Sequence, residues 1–263
     1  MEKQTKKAIL VVSFGTSHED TRKMTIDAIE KEIENAFPDY QIYRAWTSKM
    51  ILAKLKKRDN LFIPNVTEAM EQMRKDGITD VIVQPTHVIN GIENEQMKQD
   101  VLEFSGDFAS ISFGDPLLTS AEDNDAVIAA VADEFSYLKE DDALVLMGHG
   151  TTHYSNAIYA ALDYTFKDKG YPHIFLGTVE AYPSMDSISK MIHAYQPKQV
   201  YLAPFMIVAG DHAKNDMAGT DPKSWVCRLQ QEGFHTVPIL KGLGEYPGIR
   251  NLFIEHIKNA IRQ

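Results

Sequence analysis

Ala8-Ile9-Leu10-Val11-Val12-Ser13-Phe14-Gly15-Thr16 and Ala143-Leu144-Val145-Leu146-Met147-Gly148-His149-Gly150-Thr151 share one plan: a short β-rich apolar run, a glycine, then threonine. At a constant offset of 135, Ala8 meets Ala143, Gly15 meets Gly150, Thr16 meets Thr151 and His18 meets His153. A second pair, Val81-Ile82-Val83-Gln84-Pro85 and Val200-Tyr201-Leu202-Ala203-Pro204, repeats the pattern, and six residues past each proline stands a glycine, Gly91 or Gly210. Agreement in order, spacing and punctuation indicates a duplicated chain.

On either side of these stretches, apolar runs alternate with amphipathic ones. Strands are expected at Ala8–Val12, Gln41–Ala45, Val81–Gln84 and Ser110–Phe113, and again at Ala143–Met147, Ile174–Val179, Val200–Leu202 and Val237–Leu240. A helical pattern runs from about Asp20 to Phe37, and another over Asn65–Lys75 places Val66, Met70 and Met73 on one face. Such alternation predicts an α/β protein made of two similar doubly wound halves with parallel sheets. The polar stretch Thr119–Asp125 sets the expected boundary: an N-terminal half over 1–122 and a C-terminal half over 123–263 carrying the chemistry.

Composition narrows the function. With 44% hydrophobic and 24% charged residues the chain is that of a folded enzyme. A formal net charge of −10 argues against nucleic acid or an anionic membrane as partner. Cys227 is the only cysteine, which excludes an intrachain disulfide and thiolate metal clusters. The apolar segment ending at Gly15 is too short for a signal sequence, and nothing later approaches ~18 apolar residues, so a cytoplasmic protein is expected. GxGxxG, Walker-type, HExxH and CxxC patterns are absent, so no nucleotide cofactor is expected. A homo-oligomer is compatible with the sequence.

Open parallel sheets bind ligands beyond the carboxyl ends of their strands. In the second half the residues there are Gly148-His149-Gly150, Glu180 and Gly210-Asp211-His212. Two imidazoles and a carboxylate suit a borderline divalent ion with open coordination positions, and the same groups can serve as bases. Taken singly, each has a duller role: a tight turn for the glycines, a helix cap for Glu180, a first-turn helical position for His212. The first-half counterparts are approximately Phe14, Trp46 and Glu93, two aromatics and one acid, which pairs a metal-binding half with an aromatic one suited to a flat conjugated ligand. His87 lies near a strand end and is a candidate for lining the site. A His/Glu metal-dependent hydrolase and a non-catalytic tetrapyrrole or metal carrier remain as competing classes.

Met147-Gly148-His149-Gly150-Thr151, Thr178-Val179-Glu180-Ala181-Tyr182-Pro183 and Pro204-Phe205-Met206-Ile207-Val208-Ala209-Gly210-Asp211-His212-Ala213-Lys214-Asn215-Asp216-Met217 resemble the anaerobic-type sirohydrochlorin cobalt chelatases of cobalamin biosynthesis, a class II chelatase family. Ile9–Ser17 and Gln84–Glu95 resemble it too, so the likeness spans essentially the whole chain. It implies two α/β halves facing across a cleft and insertion of Co²⁺ into a precorrin-type tetrapyrrole, with Fe²⁺ or Ni²⁺ as alternative metals. It places metal contacts at His149, Glu180 and His212, and catalytic roles at His149 (the leading proton acceptor), His212 and Glu93. Phe14, Gly15, Thr16, Trp46 and His87 are the expected tetrapyrrole-binding positions. Ala181, where glycine is frequent, and Lys214, beside His212, depart from the commoner pattern.

Overall fold

The computed structural model describes residues 5–262. Eight strands form: β1 (Lys7–Ser13), β2 (Gln41–Trp46), β3 (Asp80–Pro85), β4 (Ser110–Phe113), β5 (Asp142–Gly148), β6 (Ile174–Thr178), β7 (Gln199–Pro204) and β8 (Thr236–Pro238). They make two four-stranded sheets, ordered β2-β1-β3-β4 and β6-β5-β7-β8, and every pairing is parallel. The two orders are the same order, so the duplication inferred from the glycines and prolines holds in topology. β1 and β5 are central and almost wholly buried, which is why they are continuous apolar runs instead of alternating ones.

Each sheet has its own core. Leu10, Val12, Met70, Met73, Val83 and Val101 fill the first, and Val145, Met147, Ile188, Leu202, Trp225 and Leu229 the second. The helix Val66–Lys75 begins where the sequence places it. Asn65 accepts from the Glu68 N–H at 2.9 Å and Glu68 accepts from the Asn65 N–H at 2.8 Å, closing a capping box.

Two expectations change. The helical pattern from Asp20 to Phe37 forms two helices, Glu19–Met24 and Ile26–Ala36. The break is at buried Thr25, whose backbone leaves helical values (φ −121°, ψ −80°) while its hydroxyl donates to the Thr21 carbonyl. A threonine bonding back to the preceding turn competes with the regular ladder.

The division of the chain also differs from 1–122 and 123–263. The first compact unit holds the described residues up to Asp123 together with those from Pro247 onward; the second is Asn124–Tyr246. The final helix, Pro247–Arg262, buries Ile249, Phe253, Ile257 and Ala260 against Ile26–Ala36, β3 and β4 of the first unit. Its buried His256 bonds the Asp115 carbonyl through Nδ1 (2.9 Å) and Asp123 Oδ1 through Nε2 (2.8 Å). Although desolvation pushes the Asp123 carboxyl up, hydrogen bonds from His256 and Ser120 hold it below its usual range. The periodicity of the last helix announces a buried face but not which sheet that face covers. No helix among the described residues is long and apolar enough to cross a membrane.

Candidate metal centre

His149 leaves β5 between two glycines that the packing requires. A Cβ on Gly148 would lie 2.6 Å from the Tyr159 ring, and one on Gly150 would lie 2.9 Å from Ala181 N and Thr178 Cβ. Gly150 also sits at φ +83°, a left-handed conformation that L side chains rarely adopt. In that turn the Gly150 carbonyl lies 2.7 Å from His149 Nδ1. A carbonyl only accepts, so Nδ1 carries the proton and Nε2 keeps its lone pair. The side chain is exposed, so that lone pair is accessible to a metal or a proton.

His212 follows β7, in a short helical turn that widens over Ala213–Met217 into one of π type. Its Nδ1 lies 2.7 Å from Asp216 Oδ2, a carboxylate that accepts, so in the neutral ring Nδ1 carries the proton and Nε2 the lone pair. The His149 and His212 rings meet edge to face, with centroids 4.8 Å apart and planes at 84°. Two imidazoles on one ion, each nitrogen at about 2.1 Å, put their centroids roughly 4.6–5.3 Å apart for coordination angles near 90–110°. The observed separation falls inside that window.

Glu180 is tied to the same place through its backbone, its N–H donating to the His149 carbonyl at 2.9 Å. Its side chain is exposed, and no group of three His, Cys, Asp or Glu residues among the described ones is arranged to hold a metal. The two imidazoles lie side by side, and Glu180 is joined to them only through its backbone.

The first unit repeats the backbone without the ligands. Gly15 (φ +100°) matches Gly150, and a Cβ there would meet Trp46 Cε3 at 2.5 Å. Phe14, in the place of His149, is 46% exposed and offers an aromatic face. Trp46 is fully buried beneath Gly15, so the expected aromatic surface reduces to Phe14. The pairing of Glu180 with Trp46 also shifts. Ser48 N–H donates to the Phe14 carbonyl (3.2 Å) as Glu180 N–H does to that of His149, and Trp46 pairs with Ser13 as Thr178 does with Gly148. Ser48 is therefore the counterpart of Glu180. Buried Thr16 uses its hydroxyl locally, accepting from the His18 N–H at 3.2 Å, just as Thr151 accepts from that of His153 at 3.1 Å. Glu93 is exposed in the first turn of Ile92–Leu102.

His87, two residues past β3, has both ring nitrogens buried without a hydrogen-bond partner among the described residues. Burial pushes its imidazole down to about 4. The unfolded chain then binds the extra proton between about 6.5 and 4, so folding stability falls as pH drops through that window. The expected loss has a ceiling of about 3 kcal/mol. Chemical denaturation of the wild-type protein and His87→Leu between pH 7 and 4 checks this. The variant should lack that leg of the acid dependence; parallel curves would contradict it. Asp216 was not singled out from the sequence, although its spacing four residues past His212 on a helical segment is the available signal.

Comparison with known proteins adds to this geometry. The family model described as cobalt chelatase (CbiK) matches residues 7–262. The chain is 39% identical over 256 residues to the sirohydrochlorin cobaltochelatase of Salmonella typhimurium, covering 97% of each. It is 33% identical to sirohydrochlorin cobaltochelatase CbiKC of Nitratidesulfovibrio vulgaris, covering 98% of this chain and 91% of that one. In fold it is similar to the sirohydrochlorin chelatase SirB from Bacillus subtilis subspecies spizizenii solved with cobalt, with TM-score 0.68, 14% identity, and coverage of 98% and 96% of the two chains.

Proposed function

As the chain belongs to the cobalt chelatase family, we propose that it is a sirohydrochlorin cobaltochelatase, inserting Co²⁺ into the tetrapyrrole with release of two protons during anaerobic cobalamin biosynthesis. The observation that carries this reading is the His149–His212 pair, 4.8 Å apart with both Nδ1 atoms already engaged. Two neutral imidazoles hold a borderline divalent ion while leaving positions for the macrocycle nitrogens.

Insertion requires the ion to shed water, the ring to turn a nitrogen lone pair toward it, and two pyrrole N–H protons to leave. An Nε2 that holds the metal cannot hold a proton at the same time. As Co²⁺ passes to the ring, the Nε2 lone pair of His149 is released to take a pyrrole proton. Glu180 rotates in as the third metal contact, and its charge favours capture of the cation. In the first unit, Glu93 is the acidic group assigned to proton handling. Phe14 supplies an aromatic face to the tetrapyrrole, Gly15 and Thr16 shape the turn that carries it, and Trp46 and His87, with their polar ring atoms buried, act through packing and not by direct contact. No nucleotide takes part, the protein works in the cytoplasm, and neither nucleic acid nor a membrane is a partner.

The donor set does not select cobalt, because such a site follows the Irving–Williams order and prefers Cu²⁺ or Zn²⁺. Iron or nickel insertion is accordingly the second reading. One SirB structure from Bacillus subtilis was solved with Fe³⁺. Purified protein with sirohydrochlorin and Co²⁺, Fe²⁺ or Ni²⁺, followed by visible absorption, separates these. Many turnovers per chain with Co²⁺ support the proposal. Turnover with Fe²⁺ or Ni²⁺ alone identifies a different chelatase, and stoichiometric uptake without turnover identifies a carrier.

A further inference from the structure

We propose that Asp216 is a positioning residue for metal handling: its carboxylate locks His212 in the tautomer and orientation that present Nε2 to the ion, and makes that imidazole the stronger donor of the two. This rests on the reading in which His149 and His212 hold the metal.

The two imidazoles have unlike supports. His149 Nδ1 faces a neutral backbone carbonyl at 2.7 Å, whereas His212 Nδ1 faces the Asp216 carboxylate at 2.7 Å. A hydrogen bond to a charged acceptor is roughly twice as strong as one to a neutral acceptor. It also draws the Nδ1 proton outward and leaves more electron density on Nε2.

The backbone is built to deliver this carboxylate. Ala218 N–H reaches the Ala213 carbonyl at 3.1 Å, the five-residue span of a π-type turn. Ala213 and Met217, either side of the exposed stretch, are fully buried in the core of the second unit. Gly219 closes the turn so tightly that a Cβ there would lie 2.3 Å from the Asn215 carbonyl oxygen. Asp216 is thus pinned between anchored neighbours with its side chain beside His212.

Magnitudes separate this role from a structural one. The side chains of His212 and Asp216 are 36% and 48% exposed. A pair that open contributes about 0–1 kcal/mol to folding. Removing the hydrogen-bond partner of a ligating histidine typically costs about 10–100-fold in metal affinity. Loss of Asp216 should therefore appear in metal binding and hardly at all in stability.

The test titrates Co²⁺ alone into the wild-type protein, Asp216→Ala, Asp216→Asn and His212→Ala, with the unfolding midpoint of each and the ¹⁵N shifts of the His212 ring. Asp216→Ala is expected to weaken Co²⁺ binding about 10–100-fold at an unchanged midpoint, with the ring passing from one tautomer to a mixture. Asp216→Asn, which keeps an acceptor oxygen of the same shape without the charge, should keep the single tautomer and recover only part of the affinity. The proposal is overturned if both Asp216 variants bind Co²⁺ within about twofold of wild type while His212→Ala does not. If His212→Ala also binds as wild type does, the assignment of the metal site itself fails.

Discussion

Replacing His149 by alanine is expected to lower the rate of cobalt insertion by about 10²–10⁴-fold, the usual cost of losing a general base in proton transfer. The side chain is exposed beyond β5 and held by the Gly150 carbonyl, so the substitution removes a lone pair and no core packing. His212→Ala should fall in the same range, because a single imidazole cannot hold the ion in the geometry that the pair provides. Groups that act as one unit are non-additive, so the double variant should be little worse than either alone. Sirohydrochlorin turnover, followed in the visible spectrum against the non-enzymatic rate, measures all three. Wild-type turnover in both single variants would remove these residues from the mechanism.

The second large effect is expected at Glu180. Glu180→Gln should raise KM for Co²⁺ about tenfold or more, equivalent to roughly 1.4 kcal/mol of lost metal binding, with a smaller change in kcat. The amide preserves side-chain length and the backbone bond to the His149 carbonyl, so only the negative charge is lost. The Glu180 side chain is exposed, so the substitution should leave folding unchanged while it alters KM. Steady-state kinetics at varied Co²⁺ reads the split. An unchanged KM would leave Glu180 as a loop residue with no metal role.

Sequence carries structural information mainly where that information is local. Glycines and prolines mark strand ends by backbone geometry, so Gly15, Gly150, Pro85 and Pro204 located the matching sheets within a residue or two. His149 and His212 stand out because they follow such marks, His149 directly after β5 and His212 eight residues past the Pro204 that ends β7. The pairing of Glu180 was harder. β2 and β6 carry no matching punctuation, and only the hydrogen bonds to the Phe14 and His149 carbonyls show that Ser48, not Trp46, is equivalent. The last helix packs on the first unit although it follows the second in sequence, and its pattern does not announce this. An amphipathic pattern gives a buried face but no partner, and the Ile249, Phe253 and Ile257 stripe fits either sheet. Thr25 broke a helix through a side-chain bond that periodicity does not register. Trp46 read as a ligand surface because residue type says nothing of burial, and Gly15 opens the space that the indole fills.

A shared ion on Nε2 of His149 and Nε2 of His212 would place two imidazoles in one coordination shell. X-ray absorption of the Co²⁺-loaded protein, compared with His149→Ala and His212→Ala, counts those ligands. Two imidazole nitrogens per cobalt in the wild type, falling to one in each variant, is the predicted result. A cobalt shell that contains no imidazole, or that is identical in all three proteins, would contradict it.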